Sequence, residues 1–132
     1  MKKYYYPAVF QPEDVGYSVW LADIDGAVSQ GDTLEDAIEN IKDALGLYVE
    51  DARERKTELP QASNPAEIVL EKGQFTSFIE FDWVEYQRKH GNKAVKKTLT
   101  IPAWLNTLAE EEQINFSGVL QDALKTKLKL RM

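Results

Sequence analysis

The chain contains no cysteine, which excludes disulfide frameworks and thiolate metal sites and suits a reducing cytoplasm. Histidine occurs once, at His90 beside Gly91, a poor place for a positioned base or a metal ligand. No glycine-rich phosphate loop, cysteine–histidine cluster or nucleophile-elbow pattern is present. No apolar run approaches the roughly 20 residues of a membrane span, so no membrane partner is expected. The first residues, MKKYYYPAVFQPED, meet a proline and two acids before any long apolar stretch, and no secretory signal is expected. What remains is a chain of 132 residues, 43% hydrophobic and 29% charged, the composition of a globular protein.

Charge is unevenly spread. The whole chain carries −6, but residues 1–92 hold 9 basic against 18 acidic side chains, a net of −9, and residues 93–132 hold 7 against 4, a net of +3. Arg131 is among the latter. The asymmetry predicts two modules, one acidic and one mildly basic, with different partners.

Residues 3–10 are rich in tyrosine, residues 17–22 read YSVWLA, and QPEDVG between them supplies a turn, so a β-hairpin is expected. Pro7 lacks an N–H and should stand at an edge or a bulge. A loop with a short strand at 27–29 follows. Then TLEDAIENIKDALGLYVEDARERK places Leu34, Ala37, Ile38, Ile41, Leu45, Tyr48, Val49 and Ala52 on one helical face. Thr33 is the N-cap with Asp36 three residues on, acids crowd the start and bases the end. Gly46 inside this helix costs about 1 kcal/mol against alanine, and marks either close packing on a sheet or simple tolerance. Residues 68–71 and 75–83 are expected strands, the second with Phe75, Ile79, Phe81 and Trp83 on its buried parity and Phe78 breaking the alternation. The order suits an α+β fold, a helix across a mainly antiparallel sheet. Trp20, Trp83 and Trp104 are expected in cores. YQRKHGNKA, residues 86–94, reads as a linker, and the expected domains are 1–90 and 91–132.

In the second module, residues 95–101 alternate as a strand, with Val95, Lys97, Leu99 and Ile101 on one side and Lys96, Thr98 and Thr100 on the other. Pro102 opens a helix carrying Trp104, Leu105, Leu108 and Ala109, and Asn115 caps a second carrying Phe116, Val119, Leu120, Ala123, Leu124 and Leu128. A strand–helix–helix unit of this size cannot close a core without disulfides, metals or a partner, and its lone strand needs a second strand. A two-fold pairing of two chains satisfies both needs. The expected dimer core is Leu99, Ile101, Trp104, Leu105, Leu108, Val119, Leu120 and Leu124.

The residues KKTLTIPAWLNTLAEEEQINFSGVLQDALKTKL resemble a ribbon-helix-helix DNA-binding domain, in which paired strands lie in the major groove. The resemblance implies Lys96, Thr98 and Thr100 as base readers, and Asn115, Phe116 and Ser117 as the helix N-terminus that holds a DNA phosphate. YPAVF followed by GYSVWLADIDGAVSQGDTLEDAIENIKDAL resembles the HicB antitoxin family, whose N-terminal domain is a truncated relative of the ribonuclease H fold. That resemblance implies a HicA-type toxin partner, a small basic ribonuclease that cleaves mRNA, and binding to the operator of the shared operon as a homodimer, with higher association open. Complementary charge would draw the toxin to the acidic module, and Asp23, Asp25, Asp32 and Glu35 are expected to face it.

No cofactor, no metal and no catalytic residue is expected. Asp23 and Asp25 invite comparison with the metal-binding acids of ribonuclease H enzymes, but Asp25-Gly26 also reads as a turn. Besides the antitoxin, the residues leave room for a ligand-responsive ribbon-helix-helix repressor without a toxin partner.

Overall fold

The expected hairpin is present, and a strand from much later in the chain completes its sheet. In the computed structural model, which describes residues 3–130, β1 (Lys3–Pro12) pairs antiparallel with β2 (Tyr17–Leu21), from Ala8↔Leu21 to Pro12↔Tyr17. β3 (Val28–Gly31) joins the far side of β2. After a helix and a loop, β4 (Phe75–Asp82) adds to the free side of β1 along eight consecutive pairs, Lys3↔Asp82 to Phe10↔Phe75. The sheet is antiparallel throughout, in the order β3-β2-β1-β4.

Alternation along these strands sends Tyr6, Ala8, Phe10, Val19, Leu21, Ile79 and Phe81 to one buried face. Against that face lies α1 (Leu34–Arg55), whose Ala37, Ile41, Leu45 and Val49 are fully covered. Burying one such Leu, Ile or Val contributes about 1.5–3 kcal/mol, so the helix–sheet contact is the main source of stability in this part of the chain. Tyr48, on the rim of the helical face, stays exposed. The helix starts where Thr33 Oγ1 accepts the Asp36 N–H at 3.1 Å. It stops at Lys56, in the left-handed region at φ 57°, whose N–H bonds the Ala52 and Arg53 carbonyls. Gly31 precedes this start because the first turn presses on it: a Cβ there would lie 2.3 Å from the Ala37 nitrogen.

Several expectations change. Pro7 lies in β1, an interior strand, yet its carbonyl accepts the Ala22 N–H at 3.2 Å just past the last β1–β2 pair. N and O of one strand residue face the same side, so the missing N–H falls where β2 has ended and costs little of the ladder. The short strand is Val28–Gly31 rather than 27–29. Residues 68–71 form no strand; a 3-10 turn at Pro65–Glu67, capped by Asn64, comes first, and residues 68–74 run on without a ladder. The expected linker is largely helix: Asp82 accepts the N–H groups of Val84 and Glu85 and starts α2 (Trp83–His90). The local polarity of YQRKH hid one buried residue, Tyr86.

Tyr86 explains Gly46. Its ring lies among Phe81, Trp83 and His90, at 5.5, 5.9 and 4.4 Å between centroids, and a Cβ on Gly46 would lie 2.1 Å from Tyr86 Cε1. The glycine therefore admits α2, not the sheet. Arg53 covers Trp83 at 4.5 Å, and Asp43 meets Lys89 and His90 at 3.5 Å each, so His90 ends a docked helix instead of lying in a linker.

Contacts divide the chain into two units between Lys93 and Ala94. The second holds α3 (Ala103–Glu111), preceded by Pro102, and α4 (Phe116–Lys127). Gln113, at φ 54°, turns the chain between them, and the Ile114 N–H returns to the Ala109 carbonyl at 3.0 Å. No side chain among residues 94–130 is buried. Trp104, expected in a core, is 66% exposed. Residues 95–101, expected as a strand, carry no ladder in the single chain, since a strand is defined by a neighbour to bond.

Gly46→Ala separates propensity from packing. It gains about 1 kcal/mol of helix propensity but should lose about 1–3 kcal/mol by crowding Tyr86. Urea unfolding should show Gly46→Ala destabilising the native chain and stabilising the Tyr86→Ala chain. The same sign in both backgrounds would remove Tyr86 as the reason for the glycine.

Candidate functional site

Two surfaces carry the residues singled out in the sequence. The first is the N-terminus of α4. Asn115 Oδ1 accepts the Gly118 N–H at 3.1 Å, and the Asn115 carbonyl takes the Val119 N–H at 3.0 Å in the first helical bond. Helix geometry leaves the N–H groups of Asn115, Phe116 and Ser117 without intrahelical acceptors, at the positive end of the helix. Phe116 and Ser117 are exposed. Such an end suits an anion. Lys96, Thr98 and Thr100 lie in the exposed segment 91–102 of this part of the chain.

The residues assigned to a dimer core are uncovered. Leu99, Ile101, Trp104, Leu105, Leu108, Val119 and Leu124 are all exposed by 42% or more, and Leu120 is half-buried. So many large apolar side chains open to water in 39 residues is far beyond the scattered exposure of an ordinary monomer surface.

The second surface is acidic and belongs to the first unit. Asp25 and Gly26 make the tight turn between β2 and β3, with Gly26 at φ 84° and the Ala27 N–H bonded to the Ile24 carbonyl at 3.3 Å. Asp32 and Glu35 are exposed at the start of α1. Asp23 differs from these three. Its carboxylate accepts the Ser63 backbone N–H at 3.0 Å and the Ser63 hydroxyl, tying the β2–β3 loop to the segment after α1. The structure thus brings Asp23 to a loop anchor and leaves Asp25, Asp32 and Glu35 facing outward. Among the described residues no group of three or more His, Asp or Glu side chains could hold a metal ion.

A second bond holds the same segment: the Tyr6 hydroxyl donates to the Pro60 carbonyl. Burial, reinforced by the nearby Asp23 charge, pushes the Tyr6 phenol above its ordinary value. The sheet face away from α1 carries further apolar side chains, Phe78 at 51% and Tyr5 at 47% exposed. The sequence marked Phe78 as a break in the alternation, and that break was the signal of a surface rather than an irregular strand.

Comparison with known proteins bears on both units. Residues 6–123 match the family model described as HicB_like antitoxin of bacterial toxin-antitoxin system. A 14.9 kDa protein from the rep-hol intergenic region of Haemophilus phage HP1 is 36% identical over 101 residues, covering 76% of this chain and 74% of that protein. Among solved structures, a toxin-antitoxin complex from Streptococcus pneumoniae contains a chain with TM-score 0.61 and 30% identity, covering 95% of this chain and 99% of that one. The N-terminal domain of the Burkholderia pseudomallei antitoxin HicB matches at TM-score 0.50 and 26% identity, covering 58% of this chain and 95% of that one.

The Tyr6 bond has a pH signature. A phenol raised in the folded state contributes stability that is complete below its ordinary value of about 10 and is lost as pH rises through the raised one. Tyr6→Phe should flatten the alkaline limb of a pH–stability curve. An unchanged limb would place the alkaline transition elsewhere.

Proposed function

Because the chain belongs to the HicB-like antitoxin family of bacterial toxin–antitoxin systems, we propose that it binds and neutralises a HicA-type mRNA-cleaving ribonuclease and, as a dimer, represses its own operon at operator DNA. The first unit, read as a truncated ribonuclease-H-like module used for binding, carries the acidic excess of −9 in residues 1–92. That charge attracts a basic ribonuclease and competes with RNA for its surface. Asp25, Asp32 and Glu35 lie outward and are free to serve this role; Asp23 acts through the loop it anchors to Ser63.

The second unit is read as a ribbon-helix-helix half. The observation that carries this reading is the combination of a capped α4, open at its first amides, with a full set of uncovered apolar side chains on the same 39 residues. Pairing residues 95–101 with those of a second chain would supply the ladder, and interleaving α3 and α4 would cover Leu99, Ile101, Trp104, Leu105, Leu108, Val119, Leu120 and Leu124. The ribbon would then present Lys96, Thr98 and Thr100 to base edges, and Asn115, Phe116 and Ser117 to a phosphate.

Co-expression with the toxin gene of the same operon should restore growth, and toxin that stays active in the presence of excess purified chain would end the antitoxin reading. On DNA, Thr98→Ala should erode discrimination between operator and unrelated sequence by about 1–3 kcal/mol. Lys96→Ala, if it meets a phosphate, should weaken all sequences alike and flatten the salt dependence. Footprints unchanged by either substitution would take residues 95–101 out of the DNA interface.

A further inference from the structure

We propose that the free edge of β4 is a strand-addition site, occupied by an extended segment of a basic partner protein. The sheet has two edges and treats them differently. β3 is four residues long, and the Asn40 side chain donates to its Gln30 carbonyl at 2.7 Å. Such shortening and covering are how an edge is kept from pairing. β4 has neither device. It runs for eight residues, FTSFIEFD, without lysine, proline or glycine, and its ladder to β1 has no bulge.

The backbone direction follows from Pro7. Its carbonyl is bonded on the β2 side, to Ala22. The opposite pair, Pro7↔Phe78, is therefore a non-hydrogen-bonded pair of the β1–β4 ladder, and Phe78 turns its N–H and C=O away from β1. Alternation gives the same direction to Thr76 and Glu80. Among the described residues the Phe78 carbonyl meets only the Ser77 hydroxyl, at 3.4 Å. Side chains of these three residues share the sheet face away from α1, where Phe78 is half exposed. An incoming strand would find backbone partners and an apolar anchor together, the elements of β-augmentation.

Charge selects the occupant. β4 contains two acids and no base, with Glu80 3.4 Å from Lys3 Nζ and Asp82 capping α2. It lies in a unit, residues 1–93, whose 10 basic and 18 acidic side chains give a net of −8. A second copy would bring that charge against itself, whereas a basic strand would neutralise it. The inference rests on the antitoxin reading for the identity of the partner, the HicA-type toxin.

Amide hydrogen exchange of the full chain, free and with purified toxin from the same operon, tests the site residue by residue. Ser77, Ile79 and Phe81, bonded to β1, should be protected in both states. Thr76, Phe78 and Glu80 should exchange fast in the free chain and about tenfold or more slowly in the complex. Thr76→Pro removes an outward N–H and no bond to β1, and should weaken toxin binding about tenfold or more, at unchanged circular dichroism. If Thr76→Pro does not fold, the exchange pattern of the native chain decides. A complex in which the three amides stay fast overturns the edge site and leaves the antitoxin reading standing. Absence of any complex overturns both. Protection of the three amides already in the free chain would assign the edge to a second copy and overturn the proposal.

Discussion

Residues 94–130 hold more apolar side chain than they cover, and the proposed functional organisation depends on that deficit. Two short helices and an extended segment have too little volume to enclose Trp104 or the leucines around it, so the apolar side chains of α3 and α4 stay uncovered in one chain. The proposed pairing of two chains would cover these side chains. In the proposed ribbon-helix-helix reading, DNA binding would be coupled to association by the same shortage, because residues 95–101 carry no ladder in the single chain.

The first unit solves the opposite problem. Its sheet has one face covered by α1 and is complete without a partner in its core, where Phe10, Ile41, Leu45 and Ile79 are fully enclosed. Two glycines set how closely its elements approach: Gly31 lets the first turn of α1 press on the end of β3, and Gly46 lets Tyr86 bring α2 onto the outside of the same helix. With the interior satisfied, the acidic residues and the open edge of β4 remain at the surface, where the proposed recognition would use them. One unit thus contributes a finished surface and the other an unfinished core.

The long helix was legible because its period, its Thr33 cap and its charged ends all agree, and each is a property of neighbouring residues. The hairpin, the cap at Asn115 and the turn at Asp25-Gly26 were legible for the same reason. Residues 68–71 misled because a short apolar run has no period to separate strand from loop. Residues 83–90 misled because their polarity outweighed Asp82, a capping residue placed just before them. Asp23 and Asp25 look equivalent in the sequence, yet one is bonded to Ser63, 40 residues away, and the other is exposed.

Local order, the acidic and basic halves, and the insufficiency of the last forty residues come from composition and spacing, quantities that need no coordinates. The partner of Tyr86, the anchoring of Asp23, and the side of β1 on which β4 adds required the tertiary structure. These are meetings between residues far apart in the chain, and their outcome depends on which surfaces remain open after the core has closed.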